Sequence, residues 1–170
     1  MKAIAHAVLA LAMFGGSSLV MAQTCPSPGA LPSGGTVTGT TCGGDTSVNT
    51  FCGGATAAGP TAAYVFAYNG SASSTITVTP TNATFDVAIG VVSGGATCNA
   101  SLTATCNDLE DNATGGAAES TAVSTTNETA AGLYYLLVTN LSGGATTVTC
   151  GPYSITAGTL PVKLQSFNIN

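Results

Sequence analysis

The stretch Thr75-Ile76-Thr77-Val78-Thr79 alternates hydroxyl with apolar side chains up to Pro80. This two-residue period recurs along the chain, and no window shows the 3.6-residue period of an amphipathic helix. Successive side chains of a strand point to opposite faces, so Ile76 and Val78 are expected in a core and the threonines in water. Further strands are expected at residues 36–41, 64–68, 85–92, 102–106, 120–126, 133–138, 146–150 and 153–156. The run 64–68 stops at Asn69-Gly70, a strong turn dipeptide, and together with 75–79 it reads as a hairpin. Residues 133–138, Leu-Tyr-Tyr-Leu-Leu-Val, are apolar on both faces and are expected at the centre of a sheet. About nine short, evenly spaced strands predict an all-β fold, an antiparallel β-sandwich or jelly-roll-like domain.

The N-terminus has different chemistry. Met1-Lys2 is a short basic region, residues 3–20 are mostly apolar, and Val20-Met21-Ala22 is a small-residue cleavage signal. The pattern is that of a secretory signal peptide. His6 and the glycines leave it short of the ~20 clean apolar residues that span a bilayer. The expected division is a signal peptide at 1–22, a sandwich at 23–157 and an extended strand at 158–170. Removing the leader takes Lys2 and His6, leaving Lys163 as the one base against seven acids. Phosphate neutralisation needs Lys and Arg, so nucleic-acid binding is excluded, as is binding to an anionic membrane surface. The expected location is secreted, extracellular or at the cell surface.

Six cysteines, Cys25, Cys42, Cys52, Cys98, Cys106 and Cys150, follow the leader. An even number in an exported chain predicts three disulfides. Short spacing suggests Cys42 with Cys52 and Cys98 with Cys106, which leaves Cys25 with Cys150. Zinc is disfavoured, because the chain has neither close CxxC pairs nor a histidine after the leader.

Residues 105–112, Thr-Cys-Asn-Asp-Leu-Glu-Asp-Asn, hold three of the seven acids and read as a loop after a strand. Calcium takes six to eight oxygens, several of them from carboxylates. Asp108, Glu110 and Asp111, with the Asn107 or Asn112 amide and loop carbonyls, have the chemistry to supply them. Solvating turn residues are the plainer alternative. Catalysis has less support. Ser-His-Asp or Cys-His chemistry needs a base that the mature chain lacks, and carboxylates crowded into one loop do not straddle a glycosidic bond. The protein is therefore expected not to be an enzyme. Tyr64, Phe66 and Tyr68 share one strand face; they read as core more readily than as a sugar-stacking platform.

The succession Gly35-Thr36-Val37-Thr38-Gly39, Ala63-Tyr64-Val65-Phe66, Thr75-Ile76-Thr77-Val78, Phe85-Asp86, Cys106-Asn107-Asp108, Ala131 to Val138 and Gly151-Pro152-Tyr153-Ser154-Ile155 resembles the bacterial pre-peptidase C-terminal domain over roughly residues 35–157. The resemblance implies a jelly-roll-like sandwich, usually an accessory module of secreted enzymes, with relatives that bind collagen and some that bind calcium. It adds Asp86, from the Phe-Asp pair, to the candidate calcium ligands.

Few charges are unusual on a free monomer and suit a surface layer, fibre or matrix. The expected role is that of a non-catalytic structural or adhesive protein that self-associates or binds an extracellular polymer. The alternative is a calcium-dependent carbohydrate- or protein-binding module. In residues 158–170, Val162 and Leu164, then Phe167 and Ile169, alternate after Pro161, which reads as an edge strand or one offered to a neighbouring subunit or to export machinery.

Overall fold

The computed structural model describes residues 23–48, 50–52, 54–71, 73–94, 106–112, 114–128, 130–141 and 148–160. Among these residues eleven strands are formed: β1 (Gly29–Ala30), β2 (Thr36–Thr40), β3 (Thr50–Phe51), β4 (Ala55–Thr56), β5 (Ala62–Tyr68), β6 (Ser74–Pro80), β7 (Ala88–Gly94), β8 (Cys106–Glu110), β9 (Glu119–Val123), β10 (Gly132–Thr139) and β11 (Pro152–Ala157). They build a five-stranded sheet, β1-β5-β10-β7-β8, a four-stranded sheet, β2-β11-β6-β9, and the small pair β3-β4. Every pairing is antiparallel except β1 with β5. The result is the expected all-β sandwich.

The alternation of each strand decides what lies between the sheets. Ile76 and Val78 of β6, Tyr153 and Ile155 of β11, Tyr64, Phe66 and Tyr68 of β5, and Leu136 of β10 all enter one core. The aromatic stripe of β5 is thus interior, with Phe66 stacked on Tyr134 at 5.9 Å and Tyr68 edge-on to it at 6.1 Å. Strand β10 lies between β5 and β7. Its other face is also buried, because Tyr135 and Leu137 join Ala63, Val92, Cys25 and Val48 in a second cluster. That cluster explains why the expected central strand carries no polar face.

Several expectations are corrected. Strands β5 and β6 do not form a hairpin; they lie in different sheets, so the segment after Asn69-Gly70 crosses the sandwich. Both strands bury apolar stripes, and facing each other across the core buries both. The strand expected at 85–92 begins at Ala88, and Phe85 forms only an isolated bridge to Val148. Residues 148–150 carry that bridge and no strand, while residues 146 and 147 lie outside the described residues. The expected strand at 102–106 lies outside them too, save Cys106, which opens β8.

The short-range disulfide pairings are also corrected. Cys42 is joined to Cys150, with 5.0 Å between Cα atoms, and Cys52 to Cys106, with 4.7 Å. Antiparallel pairing of β2 with β11 places Thr40 opposite Pro152, and two further steps set Cys42 opposite Cys150. The Cys42–Cys150 bond excludes the Cys25–Cys150 pair; Cys25 is disulfide-bonded as well, and Cys98 lies outside the described residues. Constraining the unfolded chain across sequence separations of 108 and 54 residues is worth on the order of 2–5 kcal/mol per bridge.

Among the described residues, no helix is long and apolar enough to cross a membrane. The expected terminal segment is described only as far as Leu160, which is buried. Ser33 Oγ donates to the Leu160 carbonyl at 2.9 Å, and Gly34 N donates to the Gly158 carbonyl at 2.9 Å. Residues 161–170 and the leader 1–22 lie outside the described residues.

Candidate functional site: an acidic edge between the sheets

The acidic stretch is not a loop. Residues Cys106–Glu110 form β8, the outer strand of the larger sheet, paired with β7. A register shift between Val91 and Val92 gives β8 one extra residue, Asn107. That bulge reverses the facing of side chains on either side of it. Cys106 stands opposite Val92, on the outer face where Cys52 reaches it, whereas Asp108 and Glu110 stand opposite Val91 and Ile89, on the inner face. Both acids therefore lie at the mouth of the sandwich, facing β9 of the other sheet.

Asp108 is fully engaged there. Its Oδ2 accepts hydrogen bonds from Thr121 Oγ1 and, at 3.3 Å, from Asn127 Nδ2, while Leu109 N donates to Oδ1 at 3.0 Å. Asn107 is engaged as well: its Oδ1 accepts from Ser93 Oγ at 2.7 Å, and its Nδ2 donates to the Asn127 carbonyl at 2.6 Å. Together these side chains tie β8 to β9 and to the turn that follows β9. In that turn Glu128 is fully buried. Its Oε2 accepts from Ser124 N at 2.6 Å, while among the described residues Oε1 has no hydrogen-bond partner, and neither has the buried Tyr68 hydroxyl. Burial raises the Glu128 pKa, the Ser124 bond opposes the rise, and the charge of Asp108 adds to it.

A second group of acids lies at one end of the same edge. Asp86 is 3% exposed, and its Oδ1 has no hydrogen-bond partner among the described residues. The residue is held by its backbone, because Asn140 Nδ2 donates to the Asp86 carbonyl at 2.8 Å. Gly116 N bonds the neighbouring Phe85 carbonyl at 3.0 Å; Gly116 has φ +79°, and a Cβ there would stand 2.8 Å from Ala83 Cα. Glu119 is buried and accepts from Asn112 N at 3.0 Å. Burial raises the pKa of Asp86, and Asp111 adds to it. Burial also raises that of Glu119; the Asn112 bond opposes this, and the charges of Asp111, Glu110 and Asp86 reinforce it.

Six of the seven acids, all but Asp45, therefore line one edge, and the bases Lys2, His6 and Lys163 lie outside the described residues. Of the five expected ligands, Asp86, Glu110 and Asp111 fall in the second group, with Glu119. Asp108 and Asn107 fall in the first, where protein donors already occupy their oxygens. Among the described residues no three of His, Cys, Asp and Glu gather as a metal-holding group. Glu119, Glu128, Thr121 and Asn127 were not legible as partners of the acidic stretch. The one available signal was an acid opening the otherwise neutral alternation Glu119-Ser120-Thr121-Ala122-Val123.

Fold and edge define a disulfide-stapled β-sandwich module. No family model and no curated protein matches the chain. Among solved structures it is similar to the pre-peptidase C-terminal domain of a collagenase from Bacillus anthracis, of the family that the sequence resembles. That match has 12% identity, covers 80% of this chain and 95% of that one, and has a TM-score of 0.46. It is also similar to PliG of Aeromonas hydrophila, a periplasmic inhibitor of g-type lysozyme. Here the identity is 15%, the coverage 81% and 96%, and the TM-score 0.41.

Proposed function

We propose that this chain is an exported, extracellular, non-catalytic protein that serves as a structural or adhesive component, through self-association or by binding an extracellular polymer. The observation that carries this reading is the outer face of the four-stranded sheet. There Thr36, Thr38, Thr75, Thr79, Ser120 and Thr156 are exposed, and the alternation that buries Ile76, Val78, Tyr153 and Ile155 leaves no charged side chain between them. Such a face offers hydroxyls and methyl groups to a neighbour and has no charge to repel a second copy. The leader and the disulfides suit an oxidising compartment. Electron microscopy of the native secreted material, with retention assays on polysaccharide and collagen columns, tests the reading. Ordered assemblies or retention are expected; a free monomer that binds neither matrix contradicts it.

A second reading, a calcium-dependent carbohydrate- or protein-binding module, is favoured by the buried Oδ1 of Asp86, which has no hydrogen-bond partner among the described residues and whose charge interacts with those of Asp111 and Glu119. A hard cation placed there offsets the mutual repulsion of these carboxylates, with loop carbonyls and water completing its shell. Calcium is then expected to raise the melting temperature in a concentration-dependent way, and Asp86→Asn combined with Asp111→Asn to remove that response. A melting curve indifferent to calcium and to chelator contradicts this reading.

A further inference from the structure

Building on the reading of a self-associating protein, we propose that the free edge of β2 is the surface through which two copies of this chain join. The two β2 strands would pair antiparallel about a twofold axis and merge the smaller sheets into one. Among the described residues, strand β2 bonds β11 on one side only. Ala157 N donates to the Gly35 carbonyl at 2.9 Å and Thr41 N to the Gly151 carbonyl at 3.1 Å, so odd-numbered residues of this stretch face β11. Alternation along an antiparallel ladder then turns the N–H and C=O groups of Thr36, Thr38 and Thr40 toward the open side. With the axis at Thr38, Thr36 meets Thr40 of the partner subunit and Thr38 meets Thr38 of the partner subunit. About six backbone hydrogen bonds result, two for each bonded pair.

The other edges are guarded by the devices that prevent such pairing. Strand β1 is two residues long, β8 carries Asp108, Glu110 and a bulge, and β9 begins with Glu119. Strand β2 has no charge and no proline, and its register with β11 is unbroken from Thr36 to Thr40.

Charge placement also selects a second copy as the occupant. Strands β2 and β9 are opposite edges of the same sheet, and six of the seven acids lie on the β8–β9 side. Joining two copies at β2 sets their acidic edges at the far ends of an eight-stranded sheet, roughly 30 Å apart at ~4.8 Å per strand. That separation is several times the Debye length of about 8 Å at physiological salt. Pairing through β8 or β9 would instead bring the carboxylates together. The joined sheet carries its hydroxyl-rich outer face across both subunits.

The test uses the secreted, disulfide-intact full chain, with size-exclusion chromatography and light scattering over a range of concentrations. Thr38→Pro removes an N–H that faces the open side and leaves the β11 ladder whole. Thr38→Lys puts like charges on the axis. A concentration-dependent dimer is expected for the wild type. Each variant is expected to weaken dimerisation at least tenfold without lowering the melting temperature; should the proline variant fail to fold, the lysine variant decides. Variants that dimerise like the wild type overturn β2 as the contact and leave self-association standing. A wild type that is monomeric throughout overturns both.

Discussion

Glu128 is a fully buried acid whose second oxygen has no partner among the described residues, and with Asp86 and Glu119 it sets the direction in which the protein responds to pH. Burial raises the pKa values of Asp86, Glu119 and Glu128 in the folded chain. From the ordinary carboxylate range near ~4 up to those raised values, the folded state holds more protons than the unfolded one. This contribution to stability is complete below the ordinary range and is lost as pH rises through the raised values. The melting temperature is therefore expected to be higher near pH 5 than near pH 7.5, a comparison that calorimetry makes directly. Glu128→Gln keeps an acceptor for Ser124 N and removes the buried charge. It is expected to stabilise the protein at neutral pH by on the order of 1 kcal/mol and to flatten the pH dependence. A variant that melts earlier at neutral pH would show that the carboxylate is needed as a charge. Tight packing at Gly39 gives a second residue-level expectation. A Cβ there would overlap Tyr64 Oη and lie 2.7 Å from Tyr153 Oη, and these two hydroxyls bond each other at 3.1 Å within the core. Gly39→Ala is expected to cost about 1–3 kcal/mol in chemical denaturation, through overpacking.

Among the elements, β10 was legible because a run that is apolar on both faces has one ready explanation, burial on both sides. The inward positions of β5, β6 and β11 were legible from alternation for the same reason. Strand β8 was not, since acidic residues are poor strand formers. Its place at a sheet edge, its bulge and the donors Thr121 and Asn127 are tertiary facts that no local window contains. The Asn69-Gly70 turn signal was real, as Gly70 has φ +80° and Asn69 Oδ1 caps Ser71. A turn dipeptide does not specify whether the chain returns in the same sheet or crosses to the other. The disulfides were misassigned because closeness in sequence was taken for closeness in space, whereas the β2–β11 register sets Cys42 beside Cys150. Peptide mapping without reductant is expected to recover Cys42–Cys150 and Cys52–Cys106; a Cys42–Cys52 peptide would contradict the β2–β11 pairing. Asp108→Ala, which strips the donors of Thr121 and Asn127 of their acceptor, is expected to cost about 1–3 kcal/mol and to loosen β8 from β9.

The molecule as a whole is polarised. One edge of the sandwich collects six of the seven acids, and the outer face of the smaller sheet carries no charge among the described residues and is rich in hydroxyls. Six acids gathered in this way keep one side soluble and leave the other available to a like surface. The near absence of charge was legible in the composition, but its segregation was not, because β7, β8 and β9 bring Asp86, Glu110, Asp111 and Glu119 together from distant parts of the chain. Sedimentation velocity of the secreted protein at neutral pH and physiological salt, over a hundredfold range of concentration, tests the self-associating structural role most directly. The sedimentation coefficient is expected to rise with concentration from the monomer toward a dimer or larger species; a single monomer peak at every concentration would contradict the account.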